Sequence, residues 1–357
     1  MLSRGRIHSG EVAPGSSADR GGRQAVRSSR GPEYPDARAV GTDMTTAIVA
    51  TAFGGPEVLS AVDTNVPAPG PGEVTVRVRA AALNPIDHKR YSGAFGVDPA
   101  QLPMRLGNEA AGVVTAVGPG AEGPAGPIAV GDEVVAYPAP GALAEEITVA
   151  ASGVVPKPAG VSWEVAGSVL AVGATAVHTL EVARVGAGDT VVVHGASGGV
   201  GSIVTQLAVA RGATVIATAS ERHHATLRDH GAVPIAYGAG LLDRIRAAAP
   251  SGVDAAIDTV GTDEAVDSSL ELVADRGRIV SIVAFGRAAD GIRLLGGGPG
   301  ADPGADIRAN AWRTLLPAVA DGSLQVVVAR SFALAEAADA IRLVETGHAG
   351  GKVVLLP

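Results

Sequence analysis

Cysteine is absent from all 357 residues of the chain. Without thiols the protein forms no disulfide, has no thiolate nucleophile and offers zinc no sulfur ligand. A chain without cysteine is compatible with a reducing compartment, and we expect the protein to be cytoplasmic. The absence also bears on the mechanism, because it removes one of the usual ligands of catalytic zinc.

Long apolar runs and basic stripes are also missing from the sequence. Runs such as residues 190–193 end within a few positions at glycine or polar residues, well short of the ~20 apolar residues that cross a bilayer. The formal net charge is −8, and no predicted helix carries the cationic stripe of a nucleic-acid binder. We therefore expect neither a membrane nor a nucleic acid as partner.

The remaining composition is typical of a globular protein, with 46% hydrophobic and 18% charged residues. The length predicts two domains, at roughly 100–200 residues each. Residues 1–43 differ from the rest, because they are rich in glycine, serine and arginine and lack any hydrophobic period. We expect a disordered or artefactual leader there, with an arginine-rich interaction tail as the alternative. Met44 opens the first strand-like run and is a candidate start.

The segment from Met44 to about Pro158 is predicted to be rich in β-strands. Residues 73–80 alternate valine with threonine and arginine, as a half-buried strand does. Glycine and proline separate this run from its neighbours at short intervals. Short strands between such turns predict a small β-barrel or sandwich.

The pattern changes near Ser162 to strands that alternate with helices. Ser162 caps a predicted helix over 164–185, with a break expected near Gly173. Strands are then predicted at 190–194, 214–217, 254–258 and 278–283, and helices at 200–211 and 223–230. This alternation predicts an α/β fold with a doubly wound parallel sheet. After a glycine-rich loop at 290–305, we predict a helix at 309–320, a strand at 324–328, a helix at 334–345 and a strand at 352–356.

A glycine-rich turn follows the strand that ends at His194. In a dinucleotide-binding turn, glycines allow the sharp bend, the approach of a diphosphate and close packing of the next helix, whose N-terminus attracts phosphate. The residues predicted to hold the cofactor are Gly195, Ala196, Ser197, Gly198, Gly199, Val200 and Gly201. A plain strand-to-helix turn and a nucleophile elbow, since Ser197 stands in a Gly-x-Ser-x-Gly string, are the alternatives. We expect His194 to pack beneath the turn rather than react.

The end of the next strand favours NADPH over NADH. NAD sites usually carry an acidic residue there to bind the ribose 2′-hydroxyl, whereas Thr218 occupies the position in this chain. Ser220 and Arg222 follow and suit a 2′-phosphate. If the strand ends later than predicted, Glu221 becomes the acidic residue and NADH the alternative.

Four strings together resemble the medium-chain dehydrogenase/reductases, and within them the zinc-independent quinone oxidoreductases. They are residues 193–201 (VHGASGGVG), 82–87 (ALNPID), 106–112 (LGNEAAG) and 350–355 (GGKVVL). The resemblance covers about 44–357. It implies a GroES-like β-rich catalytic domain over 44–165 and 307–357, a Rossmann NADPH-binding domain over 166–306, an active cleft between them and a homodimer.

The resemblance also implies roles for single residues. Asn84 and Asn108 match the positions where related alcohol dehydrogenases have a zinc-ligating cysteine and histidine, and neutral amides are poor zinc ligands. Glu109 alone does not make a metal site, so no metal is expected. The other residues implied are the catalytic Asn84 and Thr175 beside the nicotinamide, Tyr237 beside the 2′-phosphoribose, Val283 and Phe285 at the nicotinamide ribose, and Lys352 at the cofactor or cleft.

The expected function is hydride transfer from NADPH, without zinc, to a small-molecule quinone or activated C=C bond of an enone or enal. The Asn84 amide or backbone N–H groups would stabilise the oxyanion, and solvent would supply the proton. The alternatives are a zinc-type alcohol dehydrogenase-like enzyme and a non-catalytic NADPH-binding protein.

Overall fold

The computed structural model describes residues 44–298 and 300–357. The leader predicted over 1–43 lies outside these residues. The expected architecture is confirmed: a β-rich GroES-like part precedes a Rossmann-like parallel sheet, and the end of the chain returns to the β-rich part.

Strands and helices are numbered in chain order along the described residues. The strands of the first part are β1 Met44–Ala50, β2 Leu59–Asn65, β3 Glu73–Leu83, β4 Met104–Arg105, β5 Ala110–Val117, β6 Glu122–Gly123, β7 Gly126–Pro127, β8 Glu133–Ala136, β9 Glu146–Ala150 and β10 Val154–Pro156. Those that follow are β11 Thr190–His194, β12 Thr214–Thr218, β13 Val233–Ile235, β14 Ala255–Asp258, β15 Ile279–Ser281, β16 Arg293–Leu294, β17 Val328–Ala333 and β18 Lys352–Leu356. The helices are α1 Pro85–Tyr91, α2 Trp163–Val182, α3 Gly199–Ala210, α4 His224–Asp229, α5 Leu241–Ala248, α6 Asp263–Leu272, α7 Ala305–Asn310, α8 Trp312–Ala320 and α9 Ala337–Glu345.

The β-rich part is organised around β3. Its alternation is confirmed at 76–79, where Val76 and Val78 are buried while Arg77 and Arg79 are exposed. Thr75, expected on the polar face, is buried and bonds Thr148 of β9. In the main sheet the strands run in the order β10-β8-β5-β3-β18-β17, and β9 also pairs with β3. Strand β18 runs antiparallel to β3. This pairing brings the C-terminal strand against the residues that lead into Asn84.

The second sheet has the order β13-β12-β11-β14-β15-β16, and each of its pairings is parallel. The chain leaves β11 in one direction for β12 and β13 and returns on its other side for β14 to β16. Ligands of such sheets bind at the carboxyl ends of the strands, where this order reverses. That point lies at the end of β11, where the glycine-rich turn begins.

Helix α2 runs without interruption through Gly173, so the break predicted there is wrong. A Cβ atom on Gly173 would lie 2.6 Å from Cδ1 of Leu315, which shows that the glycine lets α8 pack closely. By length and composition α2 could also cross a membrane, but 72% of its most apolar window is buried. Its burial identifies it as a core helix of this fold.

The strand predicted at 324–328 is also wrong, because β17 begins only at Val328. Instead of a neighbouring strand, the Gln206 side chain bonds the backbone of Gln325. The Gln325 N–H donates to Gln206 Oε1 at 2.8 Å, and Gln206 Nε2 donates to the Gln325 carbonyl at 3.0 Å. The predicted helix at 309–320 is divided into α7 and α8. These two helices pack on α2, whereas β17 and β18 join the main β-rich sheet. The domain boundaries stay a prediction.

Candidate active site

The glycine-rich turn joins β11 to α3 through a bend that few side chains allow. Gly195 has a φ of 75°, in the left-handed region. A Cβ atom on Gly201 would lie 2.2 Å from the Gly195 carbonyl oxygen, so the first turn of α3 lies directly against the bend. Helix α3 begins at Gly199, with Gly198 as its N-cap. Its first N–H groups lack intrahelical acceptors and, with the helix dipole, suit a diphosphate.

A buried polar network supports this turn from below. The Ser269 hydroxyl donates to the Ala265 carbonyl at 2.7 Å, so it accepts from His194 Nε2 at 3.1 Å. The other ring nitrogen, Nδ1, then accepts from the Thr218 hydroxyl at 3.4 Å, while the Gly195 N–H donates to that hydroxyl at 3.3 Å. Burial lowers the pKa of His194 to about 4, so the ring is neutral. His194 therefore supports the turn, as expected.

The same network explains what lies at the ribose position. Thr218 is 2% exposed, and its hydroxyl is engaged by His194 and Gly195. Its side chain is therefore directed under the turn rather than towards a ligand. Ser220 is half-buried and Arg222 exposed, beyond the end of β12. Arg222 Nε donates to His223 Nε2 at 3.0 Å.

A cavity of about 100 Å³ lies against the turn. Of the residues predicted for the cofactor, the structure brings together around it Ala196, Ser197, Gly198, Gly199 and Lys352. Its other walls come from α3, from α4 and the flanking residues His223 and His230, and from residues 325–327 and 350–351. The start of α3 and the first residue of the C-terminal strand thus line the same cavity.

Other predicted residues lie away from that cavity. Val283 follows β15 and packs against Gly261, since a Cβ atom on Gly261 would lie 3.1 Å from its Cγ2. Phe285 is 38% exposed and lies against Gly298. Both residues follow β15 at the carboxyl edge of the parallel sheet. Strand β15 lies on the other side of β11 from β12. Tyr237 is 57% exposed and contributes no lining to the cavity.

Asn84, Glu109 and Lys352 form a buried cluster at the end of β3. Lys352 Nζ donates to Asn84 Oδ1 at 2.6 Å, to Glu109 Oε1 at 3.1 Å and to the Leu83 carbonyl at 3.3 Å. Asn84 Nδ2 donates to Glu109 Oε1 at 3.0 Å. Glu109 Oε2 accepts the Ala171 N–H of α2 at 2.9 Å. The three side chains are 7%, 0% and 5% exposed, respectively.

Asp87 holds the two segments that supply this cluster. One carboxylate oxygen accepts the Asn84 N–H at 2.8 Å, and the other accepts the Gly107 N–H at 3.1 Å. Asp87 is 1% exposed, and burial, outweighing these hydrogen bonds, raises its pKa to about 6. Asn84 is the N-cap of α1 and Gly107 precedes Asn108, so Asp87 joins the segments that carry these two asparagines.

Thr175 lies one helical turn beyond Ala171. Its hydroxyl donates to the Ala171 carbonyl at 2.8 Å. The hydroxyl oxygen can still accept a hydrogen bond, but its only hydrogen is already used. The side chain is half-buried. The structure thus places Thr175 one helical turn from Ala171, whose N–H contacts Glu109, with its hydroxyl proton engaged.

Sequence reasoning misses Glu109 and Asp87 as parts of the site. A single carboxylate does not bind a metal, which directs attention away from Glu109, yet a buried carboxylate also requires a cation or several donors. That requirement points to a partner, which is Lys352. Within 44–298 and 300–357, no group of three or more histidine, aspartate or glutamate residues is placed to hold a metal ion.

Two family models match the chain. The alcohol dehydrogenase GroES-like domain matches residues 70–159, and the zinc-binding dehydrogenase model matches residues 230–355. The second description refers to zinc, although this chain has asparagine at positions 84 and 108, where the sequence resemblance implies zinc ligands in related alcohol dehydrogenases.

Named relatives agree with these models. A quinone oxidoreductase of Pseudomonas aeruginosa is 36% identical over 329 residues, which cover 86% of this chain and 98% of the relative. A mycobacterial quinone oxidoreductase structure is 35% identical with a TM-score of 0.74, covering 88% of this chain and 100% of that one. The Escherichia coli quinone oxidoreductase solved with NADPH is 28% identical with a TM-score of 0.76, covering 87% and 100%. The chain belongs to the quinone oxidoreductases of the medium-chain dehydrogenase/reductase superfamily.

Proposed function

We propose that this protein is a zinc-independent NADPH-dependent reductase that transfers hydride to a quinone or to the activated C=C bond of an enone or enal. One observation carries the proposal: Lys352 lines the cavity at the glycine-rich turn and also reaches Asn84, with Nζ 2.6 Å from Oδ1. The cavity at the turn and the Asn84 amide are therefore joined by one lysine side chain.

The residues present fit NADPH. The N-terminus of α3 suits the diphosphate, and the space between Gly195 and Gly201 is closed to any added side chain. Ser220 and Arg222 are available for a 2′-phosphate. Tyr237, which follows β13, is also exposed. Thr218 stands where NAD sites usually carry an acidic residue for the ribose 2′-hydroxyl. It has no carboxylate, and its hydroxyl already bonds His194 and Gly195. When bound, NADPH supplies a hydride from its nicotinamide ring.

The protein's own contribution to the chemistry is to stabilise charge on the acceptor. Asn84 Nδ2 carries two hydrogens, of which one bonds Glu109. The second is available to a carbonyl oxygen that becomes an oxyanion as the substrate is reduced. An enolate or hydroquinone anion can then take its proton from solvent, so the cleft needs no dedicated acid.

Two features support a reaction without zinc. The amide side chains of Asn84 and Asn108 are neutral and bind zinc weakly compared with thiolate and imidazole. The Lys352 ammonium lies 2.6 Å from Asn84 Oδ1, and a cation there opposes a divalent ion at the same place.

The experiment measures NADPH oxidation with a panel of quinones, enals and enones, with NADH and EDTA as controls. We expect NADPH to be the better cofactor and EDTA to have no effect. Dependence of the rate on added zinc would instead favour the alcohol dehydrogenase-like activity. Tight NADPH binding without turnover on any acceptor would favour a non-catalytic role.

The assembly and location of the protein are part of the same proposal. We propose a homodimer, which light scattering of the purified protein would test directly. We also propose a cytoplasmic location, for which fractionation of the source cells is the direct measurement. A monomer, or recovery outside the cytoplasm, would contradict the respective statement without affecting the catalytic proposal.

A further inference from the structure

We propose that Glu109 and Lys352 are positioning residues that lock the Asn84 amide in one orientation and leave it a single, strengthened N–H donor for the oxygen of the acceptor. This inference rests on the proposed function, because it assigns these two residues a part in reduction of a conjugated carbonyl compound. It gives Lys352 a task other than binding the dinucleotide.

The orientation of Asn84 follows from the chemistry of its two partners. An ammonium group only donates hydrogen bonds, and a carboxylate only accepts them. The atom of the amide that faces Lys352 Nζ at 2.6 Å is therefore the oxygen, and the atom that faces Glu109 Oε1 at 3.0 Å is the nitrogen. A flipped amide would place its NH₂ group against the ammonium and its oxygen against the carboxylate.

The hydrogen-bond partners of the cluster leave one donor unused. The three N–H groups of Lys352 are all used, by Asn84, Glu109 and the Leu83 carbonyl. Both carboxylate oxygens of Glu109 accept hydrogen bonds, from these side chains and from the Ala171 N–H. Among the donors of these three side chains, only the second Nδ2–H of Asn84 is uncommitted.

The charge of Lys352 makes that remaining donor stronger. A cation at the amide oxygen draws electron density from the nitrogen, and hydrogen bonds in such chains polarise one another, more so at low local dielectric. Asn84 is 7% exposed and Lys352 5%, so water screens the effect little. The lysine thus acts on the substrate oxygen through the Asn84 amide, although its own hydrogens never reach it.

A purely structural role would produce a different result. The cluster also joins β18, β3 and α2, since it bonds Leu83 and Ala171. If holding these elements together were its only task, substitutions would lower stability and change cofactor and substrate binding alike. The positioning role predicts a loss confined to the step that develops negative charge.

The test compares Lys352→Met, Lys352→Arg and the double variant Lys352→Met with Glu109→Gln. The double variant removes both charges together and so avoids leaving a buried carboxylate unpaired. Lys157→Met is the matched control, because Lys157 pairs with Glu133 at 2.9 Å in the same β-rich part. Each protein is first checked for folding by circular dichroism and for NADPH affinity by fluorescence titration.

With menadione as acceptor, we expect Lys352→Met and the double variant to lower kcat about 10- to 100-fold, which is less than the roughly 10²- to 10³-fold loss when an oxyanion donor itself is removed, because the Asn84 donor remains. The KM for menadione should change less than about threefold. NADPH affinity can fall because Lys352 also lines the cavity at the turn, but the loss in kcat should clearly exceed the loss in affinity. Lys352→Arg should recover part of kcat. An unchanged kcat in the double variant, or equal losses in kcat and NADPH affinity, would overturn the inference.

A second measurement does not need turnover. Para-nitrophenol, a phenol whose anion resembles a reduced quinone, is titrated by its absorbance while bound to the protein loaded with NADP⁺. The wild type should lower the pKa of the bound phenol, and the double variant should return it towards the value in water. If the wild-type protein reduces none of the acceptors, the proposed function fails. A lowered pKa of the bound phenol that depends on Lys352 would still support the positioning of the Asn84 amide by Glu109 and Lys352. No binding of the phenol, or the same pKa in both proteins, overturns it.

Discussion

A Cβ atom on Gly201 would lie 2.2 Å from the carbonyl oxygen of Gly195. Because Gly201 has no side chain, the first turn of α3 can lie directly against the end of β11, and this close approach shapes the surface proposed for the diphosphate. Gly201→Ala must separate the two elements, and we expect it to lower the free energy of unfolding by about 1–3 kcal/mol, as overpacking does. NADPH affinity should fall at the same time. Denaturant unfolding and NADPH titration measure the two effects.

Gly186→Ala is the control for that substitution, because an added Cβ atom at Gly186 meets nothing within 4 Å. It should leave both NADPH affinity and stability within about 0.5 kcal/mol of the wild type. Normal NADPH binding by Gly201→Ala would show that the diphosphate does not use this turn.

Arg222 is expected to distinguish NADPH from NADH. It is exposed beyond β12, where its terminal nitrogens can meet a 2′-phosphate while its Nε donates to His223. Arg222→Gln should weaken NADPH binding about tenfold or more, in line with the loss of a charged hydrogen bond, while NADH binding changes little. Calorimetric titration with both cofactors provides the ratio.

Arg228→Gln is the matched control, since Arg228 is an exposed arginine on the neighbouring helix α4. It should alter neither affinity. Equal losses for NADPH and NADH in Arg222→Gln would mean that the arginine acts on a feature common to both cofactors.

The neutral ring of His194 predicts a loss of stability in acid. Burial lowers its pKa from 6.5 to about 4, so the unfolded chain binds the proton more readily than the folded one. The contribution of His194 to the free energy of unfolding is fully present above pH 6.5. It is lost as the pH falls towards 4, by on the order of 3 kcal/mol. His194→Gln should remove this slope. Unfolding free energies of both proteins across the window test the sign.

Asp87 has the opposite dependence in an overlapping window. Burial raises its pKa from 3.8 to about 6, so the protonated form is favoured in the folded state. Its contribution is fully present below pH 3.8 and is lost as the pH rises through 6, by about 3 kcal/mol. Relative to Asp87→Asn, the wild type should therefore lose stability as the pH rises from 3.8 to 6. A constant difference between the two proteins would contradict this.

The sequence predicted the elements whose signals are local. The strand ending at His194, the turn to Gly201 and the alternation in β3 all follow from neighbouring residues. The two wrong elements depend on distant side chains: Leu315 occupies the space beside Gly173, and Gln206 binds the backbone of Gln325. No periodicity in a single segment contains such information.

The site was predictable to a similar extent. The glycine-rich turn and Asn84 could be identified from motifs, but their connection could not. Lys352 and Asn84 are 268 positions apart, and their contact depends on β18 returning to pair with β3. Asp87 and Glu109 are single carboxylates in a chain of 36 acidic residues, and only their burial distinguishes them.

Hydride transfer in this protein is proposed to use Asn84 and no metal. The most direct measurement is the rate of menadione reduction by NADPH after exhaustive dialysis against EDTA, with the metal content of the same sample determined by mass spectrometry. We predict full activity with far less than one metal ion per chain. Activity that disappears on dialysis and returns in proportion to added zinc would contradict the claim.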